Sequence, residues 1–343
     1  MNQVQAIEKV FDNTVRSKQI HKSVLLVENL KGDFSVKCEY GGAKIDAPFL
    51  MASVSKLFTT ACILVLQNQN KLSLHDTLST YLDNHVLHSL HVFKGNEYSL
   101  NLTISDLLFQ TSGLPDWFDE GGAKRRVVQE DFSITFEEIL TETKSMKPRF
   151  SPLEGRKAYY SDINFDLLGK IVEEILEVPL ATAYHNLICE PLGLKNTYLP
   201  ISSSEDIPSV FYKDESLYRP DFIVSCYASG GGISTARELM VFLKAFFGGG
   251  LFPQSIFKDL SVYRKLQMTM GPIYYGGGYM QIPLGDVNTL FMGKGELLGH
   301  SGTTGSVAFY YPHRDLYFVG DVSQMANPSL PIKLIMKLAM AVK

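Results

Sequence analysis

The sequence predicts an α+β, multi-lobe fold: an antiparallel β-sheet flanked by N- and C-terminal helices, plus an all-helical lobe. Three observations predict it: strand patterns cluster at both ends of the chain, helical periodicity opens and closes it, and the middle reads as helices. At the start, Val4, Ile7, Phe11 and Val15 recur at the spacing of one helix face. Ser23–Glu28 and Phe34–Tyr40 then read as a strand pair around the turn signal Lys31-Gly32-Asp33. Near the end, Ile273–Ile282, Val307–Tyr311 and Leu316–Asp321 read as strands, Pro312–Asp315 as a hairpin turn, and Ile332–Val342 as a closing amphipathic helix. Such ends are expected to pair in one sheet. Between them, helical patterns cover Ile104–Phe109, Phe136–Thr143, Asp162–Leu176 and Leu180–Ile188, separated by loops rich in Gly and Pro. The expected organisation is one domain over 1–343, with 1–75 and 225–343 in the sheet lobe and 76–224 in the helical lobe.

Composition narrows the function classes. The 343 residues are 45% hydrophobic and 20% charged, as in an ordinary globular protein, with a net charge of −4. Phosphate binding needs a concentrated basic patch, and the only dense basic cluster, Lys124-Arg125-Arg126, is short. Nucleic acid is therefore not expected as a partner. The four cysteines, Cys38, Cys62, Cys189 and Cys226, form no C-x-x-C pair, and Cys62 falls in an apolar helical run where a free thiol behaves as a small hydrophobe. The opening residues carry no basic and apolar leader pattern, and no apolar stretch approaches the ~18 residues of a membrane span. A cytoplasmic protein is expected, unless a signal peptide preceded this numbering. The sequence does not indicate an oligomeric state.

The candidate chemistry begins at Phe49-Leu50-Met51-Ala52-Ser53-Val54-Ser55-Lys56, which runs into the apolar stretch Leu57–Leu66. The pattern reads as an extended segment entering a buried helix with Ser53 and Lys56 in its first turn. A spacing of three puts both side chains on one face, with β-carbons about 5–6 Å apart. A serine hydroxyl needs a neighbouring base to become a nucleophile. A lysine serves when burial and positive potential lower its pKa, and a helix N-terminus supplies such potential. A lysine in a first turn also opposes the helix dipole, which argues for use rather than decoration. The spacing alone is weak: with 29 serines and 23 lysines, chance supplies about two S-x-x-K matches, and two occur. The second, Ser255–Lys258, reads as a helix cap or first turn.

Two further elements strengthen the first. Tyr160, in Ala158-Tyr159-Tyr160-Ser161-Asp162, precedes a helix and can present its phenol to a cleft, as a phenolate or as a partner of Lys56. The plainer alternative packs Tyr160 in the core and leaves Ser161 or Asp162 as a helix cap. Leu298-Gly299-His300-Ser301-Gly302-Thr303 is a small, Gly-bearing segment read as lying on a sheet edge. There the Thr303 N–H joins the Ser53 N–H as an oxyanion hole. Its plainer alternative is a loop with a surface histidine.

Taken in order, Ser53-x-x-Lys56, Tyr160-x-Asp162 and His300-Ser301-Gly302 resemble the serine β-lactamase and penicillin-binding-protein superfamily, in its class C-like branch. Leu107–Pro115, Tyr160–Gly169 and Gly230–Leu239 also look like that family's recurrent segments, so the resemblance covers nearly the whole chain. It implies a β-lactamase/transpeptidase-like fold with the site between its lobes. It also implies an acyl-enzyme mechanism without metal or cofactor, acting on a small-molecule ester, amide or D-amino-acid peptide. On that resemblance Ser53 is the nucleophile, Lys56 its base partner and Tyr160 the proton relay, while His300, Ser301 and Gly302 flank the substrate.

Two departures shape the expected substrate. The family's third motif often begins with lysine, which attracts a carboxylate; here it is His300, mostly neutral near pH 7. The second motif often ends in Asn, where this chain has Asp162, an acid that cannot donate while ionised and is suited to receiving a substrate amine. Both favour an esterase, amidase or aminopeptidase-like peptidase over a true class C-like β-lactamase or a carboxypeptidase. Trp117 is a candidate substrate platform or a core residue. A penicillin-binding sensor or non-turnover binding module remains the alternative of a different class. His85, His88 and His91 do not make a metal site on one helix, because the first and third lie about 240° apart. No serine has glycine at both −2 and +2, which excludes an α/β-hydrolase elbow.

Overall fold

Strand Leu316–Asp321 is buried along its whole length. Successive strand side chains point to opposite faces, so a strand buried at every position must be covered on both. Helices supply that cover. The N-terminal helix Gln3–Ser17 packs on the C-terminal helix Leu330–Ala341 and on the sheet, while helix Ala236–Gly248 packs on strands Ser23–Asn29, Ser306–Tyr311 and Leu316–Asp321. The computed structural model describes residues 2–17, 19–154, 157–285 and 293–342.

The sheet has eight strands, and every described pairing is antiparallel. Its order runs Ser35–Tyr40, Ser23–Asn29, Leu316–Asp321, Ser306–Tyr311, Glu296–Ser301, Met280–Pro283, Tyr274–Tyr275, Arg264–Lys265. The chain ends meet as expected: Val24 pairs with Asp321 and Asn29 with Leu316. Ile7, Phe11 and Val15 are buried on the first helix, whereas Val4 is exposed. Two expectations need correction. Ile273–Ile282 is not one strand but two, Tyr274–Tyr275 and Met280–Pro283, separated by Gly276–Gly278. Gly278 has φ +90°, and a β-carbon there would lie 2.3 Å from Thr60 Oγ1, so the chain bends to admit helix Ser55–Asn68. The segment read as a sheet edge is strand Glu296–Ser301, flanked on both sides by paired strands.

The middle of the chain is a helical region built on Ile163–Leu176, Phe136–Ser145, Ile104–Leu108 and Leu180–Tyr184, the last continuing through His185–Cys189. Thr103 and Thr135 each close a capping box, with Asp106 and Glu138 respectively. This region also carries the small hairpins Val92–Glu97 and Val210–Leu217. His85 is exposed, and His91 is buried with Nε2 on the Phe150 carbonyl, so the histidine triplet is split between two environments. All four cysteines are free thiols. Among the described residues, no helix is long and apolar enough to cross a membrane.

Asp321, at the end of its strand, is buried, and its carboxyl is pushed up to about 7, chiefly by burial, against the lowering effect of a backbone hydrogen bond from Ser323 and the Lys22 charge. The folded state therefore holds a proton that the unfolded chain releases near the ordinary value of 3.8. That stability is fully present below pH 3.8 and is lost as pH rises through 7. At about 1.4 kcal/mol per pKa unit, the loss amounts to a few kcal/mol. Asp321→Asn should show a smaller fall in Tm between pH 4 and pH 7.5 than the parent. Parallel Tm–pH curves would contradict this origin of the pH dependence.

Candidate active site

Ser53 sits in the short turn Ala52–Val54, immediately before the buried helix Ser55–Asn68. Its neighbour Ala52 has φ +44°, a left-handed conformation that alanine rarely adopts. The surrounding hydrogen bonds hold it there. Met51 N–H donates to Gly232 O, while the Ser306 and Thr304 hydroxyls donate to Met51 O and Leu50 O. The turn after strand Glu296–Ser301 comes close because of Gly302, where a β-carbon would lie 2.5 Å from Met51 O. Gly305 N–H donates to Gly302 O and closes this turn with Thr303 at its corner. Ser53 and Thr303 line the same cavities.

Lys56, on the next helical turn, has no solvent exposure. Its ammonium donates to the Ser229 carbonyl at 2.6 Å and lies 3.3 Å from Ser53 Oγ and 2.7 Å from Asp162 Oδ1. The first two contacts are hydrogen bonds, and the Asp162 carboxylate supplies the opposite charge. Ser229 is presented by helix Tyr227–Gly230, and Ser55 Oγ steadies the same segment by accepting the Gly232 N–H at 2.9 Å.

Tyr160 lies beside this pair, its hydroxyl buried but outside hydrogen-bond geometry to either. The Lys56 nitrogen lies 5.0 Å from the Tyr160 ring centroid. Burial, then the Asp162 charge, push the phenol well above its ordinary range, opposed by Ser53. Tyr160 is therefore a phenol at neutral pH rather than the phenolate that the sequence also allowed, because its oxygen is buried beside the Asp162 charge. Its loop is held by Gln110, whose backbone carbonyl takes the Tyr159 N–H and whose Oε1 takes the Ser161 N–H. Gln110 itself sits at φ +59°. Gln267 Oε1 accepts the Tyr160 N–H from the opposite side.

Asp162 does not cap the helix through its side chain. Its backbone N–H donates to Asp116 Oδ1 at 2.8 Å, which brings a second buried acid to the site. Burial and the Asp162 charge hold the Asp116 carboxyl well above its usual range. A third acid, Asp166, accepts the Trp117 indole N–H at 3.0 Å and is pushed up to about 7 by burial and the Asp162 charge. Trp117 is thus a core residue whose exposed contribution is one wall of a small cavity, not an open platform.

His300 is neither a surface residue nor a wall of the cleft. It is fully buried and is held down to about 3 by burial, then by the nearby Lys56 charge. Its Nδ1 lies 2.9 Å from Ser301 O, which can only accept, so Nδ1 carries the proton. Nε2 is then left to accept from the Tyr275 hydroxyl at 3.3 Å. The direct cleft contacts of that motif come from Ser301, Gly302 and Thr303.

The resulting cleft has a volume of about 730 Å³ and is lined by Ser53, Tyr160, Asp116, Asp162 and the Ser301–Thr303 turn, with Met270, Met280 and Met336 among its apolar walls. Sequence reasoning missed Asp116, Asp166, Gln110 and Tyr275. Asp116 adjoins the quoted Leu107–Pro115 segment, and a second acid next to Pro115 and Trp117 was the available signal.

The Beta-lactamase family profile matches residues 27–334 of this chain. The D-amino acid amidase of Ochrobactrum anthropi SV3 superposes with a TM-score of 0.79, at 18% identity, covering 99% of this chain and 98% of that one. EstCE1, described as a hydrolase with promiscuous acyltransferase activity, gives 0.78 at 18% identity over 99% and 98%. A Salmonella schwarzengrund protein named "Putative D-alanyl-D-alanine carboxypeptidase" is 24% identical over 313 residues, which are 82% of this chain and 71% of that protein. With the fold and the match over most of its length in agreement, the chain belongs to the Beta-lactamase family.

Proposed function

We propose that this hydrolase forms an acyl-enzyme on Ser53 and acts on small amides or esters whose acyl part carries an amine, as in D-amino-acid amides. The observation that carries the reading is the buried Lys56 nitrogen, 3.3 Å from Ser53 Oγ and 2.7 Å from Asp162 Oδ1. An ammonium cannot accept a proton, so Lys56 must first give one up. Asp162 is the acceptor in contact. Lys56 passes a proton to Asp162, and the neutral amine takes the Ser53 proton as Oγ attacks the substrate carbonyl. The Ser53 and Thr303 N–H groups receive the developing oxyanion. The Tyr160 phenol protonates the leaving nitrogen or oxygen and is refilled from Lys56. Water then enters by the same path in reverse, and Asp162 returns its proton to Lys56.

Substrate chemistry follows from the acids. Asp116 and Asp162 both line the cleft, and a cation arriving there draws Asp116 toward its ionised form. His300 offers no charge to a β-lactam carboxylate, which favours the amidase or esterase reading over a β-lactamase. The D-amino acid amidase similarity supports an amine-bearing acyl group.

Ser53→Ala is expected to abolish hydrolysis of a nitrophenyl ester or a D-amino-acid amide. Lys56→Ala and Tyr160→Phe should each lower kcat by about 10²–10⁴-fold; near-parental turnover in Ser53→Ala would refute the mechanism. Asp162→Asn removes the acceptor for the Lys56 proton. It should lower kcat at pH 7 at least tenfold, whereas a parental rate in the folded variant would show that Asp162 takes no proton. His300 stays neutral throughout the working range, so the kcat/KM profile of His300→Gln should keep the parental shape between pH 5 and 8. A limb near pH 6.5 that vanishes in this variant would contradict the assignment.

A further inference from the structure

A second cavity opens from the other side of Ser53. It measures about 50 Å³ and shares Ser53, Phe118, Asp162 and Thr303 with the large cleft. Its apolar walls, Phe118, Val127, Val210, Leu217, Phe222 and Ile223, are all buried. The chamber exists because two hydrophobic cores fail to merge. Phe118, Val127 and Phe222 belong to the main core, while Val210, Leu217 and Ile223 belong to a small separate one, and Met325 packs against both.

Both walls are pinned by hydrogen bonds. Hairpin Val210–Leu217 is tied to the segment after strand Leu316–Asp321, with Phe211 N–H donating to Ser323 O and Lys213 N–H to Gln324 Oε1. Across the chamber, Arg219 donates from Nε to Val127 O at 2.7 Å and from Nη2 to Val128 O at 3.2 Å, fixing helix Ala123–Gln129. A seam held this firmly keeps its size when a ligand enters.

We infer that this chamber is the pocket for the acyl side chain, that hairpin Val210–Leu217 sets its depth, and that it admits only short aliphatic groups. The inference rests on reading Ser53 as the nucleophile. The acyl group stays on Ser53 through both chemical steps, whereas the leaving group must depart and water must arrive. Only the large cleft has room for that exchange. Apolar walls also disfavour a leaving amine or alkoxide, which loses hydrogen bonds to water there. One water-sized position needs about 10–15 Å³, so the chamber holds about three to five such positions, enough for a short aliphatic chain. The leaving-group side is more than tenfold roomier and sets little size limit.

The test is a pair of chain-length series on the full-length protein. With nitrophenyl esters from acetate to octanoate, kcat/KM should rise about fourfold per methylene to butanoate, the gain expected of a buried CH₂, and fall at least tenfold by octanoate. With acetate esters of methanol to hexanol it should vary less than threefold. Leu217→Ala or Ile223→Ala should move the acyl optimum at least two carbons longer; should either variant fail to fold, the parental profile still decides. An acyl profile that is flat or still rising at octanoate overturns the inference, as does an unmoved optimum in folded variants. Thermal protection of Ser53→Ala by butanoate but not octanoate reads the chamber without chemistry. Protection without turnover in the parent removes the nucleophile reading alone, turnover with the wrong profile removes the chamber alone, and neither signal removes both.

Discussion

One buried cation organises this molecule. Taking an ammonium out of water costs several kcal/mol unless it is hydrogen-bonded and an opposite charge stands close. Lys56 meets both conditions only when three separate pieces of chain are in register: its own helix with Ser53, helix Tyr227–Gly230 with the Ser229 carbonyl, and the Tyr160–Asp162 loop with a carboxylate. Displacing any one leaves a charge or a donor unpaired in a dry interior. The groups that the chemistry needs are thus brought together by the same contacts that make burial of Lys56 tolerable.

The electrostatics spread from that centre. A single negative Asp162 raises the neighbouring Asp116, Asp166 and Tyr160, each already disfavoured as an anion by burial. The Lys56 charge in turn helps to keep His300 neutral. The site therefore holds one ion pair ringed by acids and a phenol whose proton affinity is raised, an arrangement in which a proton has short paths to follow. Backbone strain collects in the same place, at Ala52 and Gln110, where left-handed conformations aim Ser53 and anchor the Tyr160 loop.

How much of this could be read from sequence depended on distance along the chain. Sheet pairing of the two ends was legible because strand periodicity is local, whereas the register that sets Val24 against Asp321 was not. The Ser53–Lys56 proximity was legible for the same reason, since a spacing of three in a helical turn brings side chains together, although Ser53 lies in the short turn before helix Ser55–Asn68 rather than in its first turn. Asp116 was not, because its role comes from a hydrogen bond to a backbone group 46 residues away. Gln110 and Tyr275 act through similarly distant contacts. His300 misled because a Gly-bearing segment read as a sheet edge, with His300 flanking the substrate, whereas it lies in a strand paired on both sides with its ring turned into the protein. The break at Gly276–Gly278 was hidden by apolar residues on both sides that still fit one strand pattern.

Trapping the covalent intermediate tests the central claim most directly. The protein would be mixed with an activated D-alanyl ester, quenched within its first turnovers, weighed intact and mapped by peptide mass. A mass increase equal to the acyl group, located on Ser53, is the predicted result. Turnover without any adduct, or an adduct carried by a different residue, would contradict it.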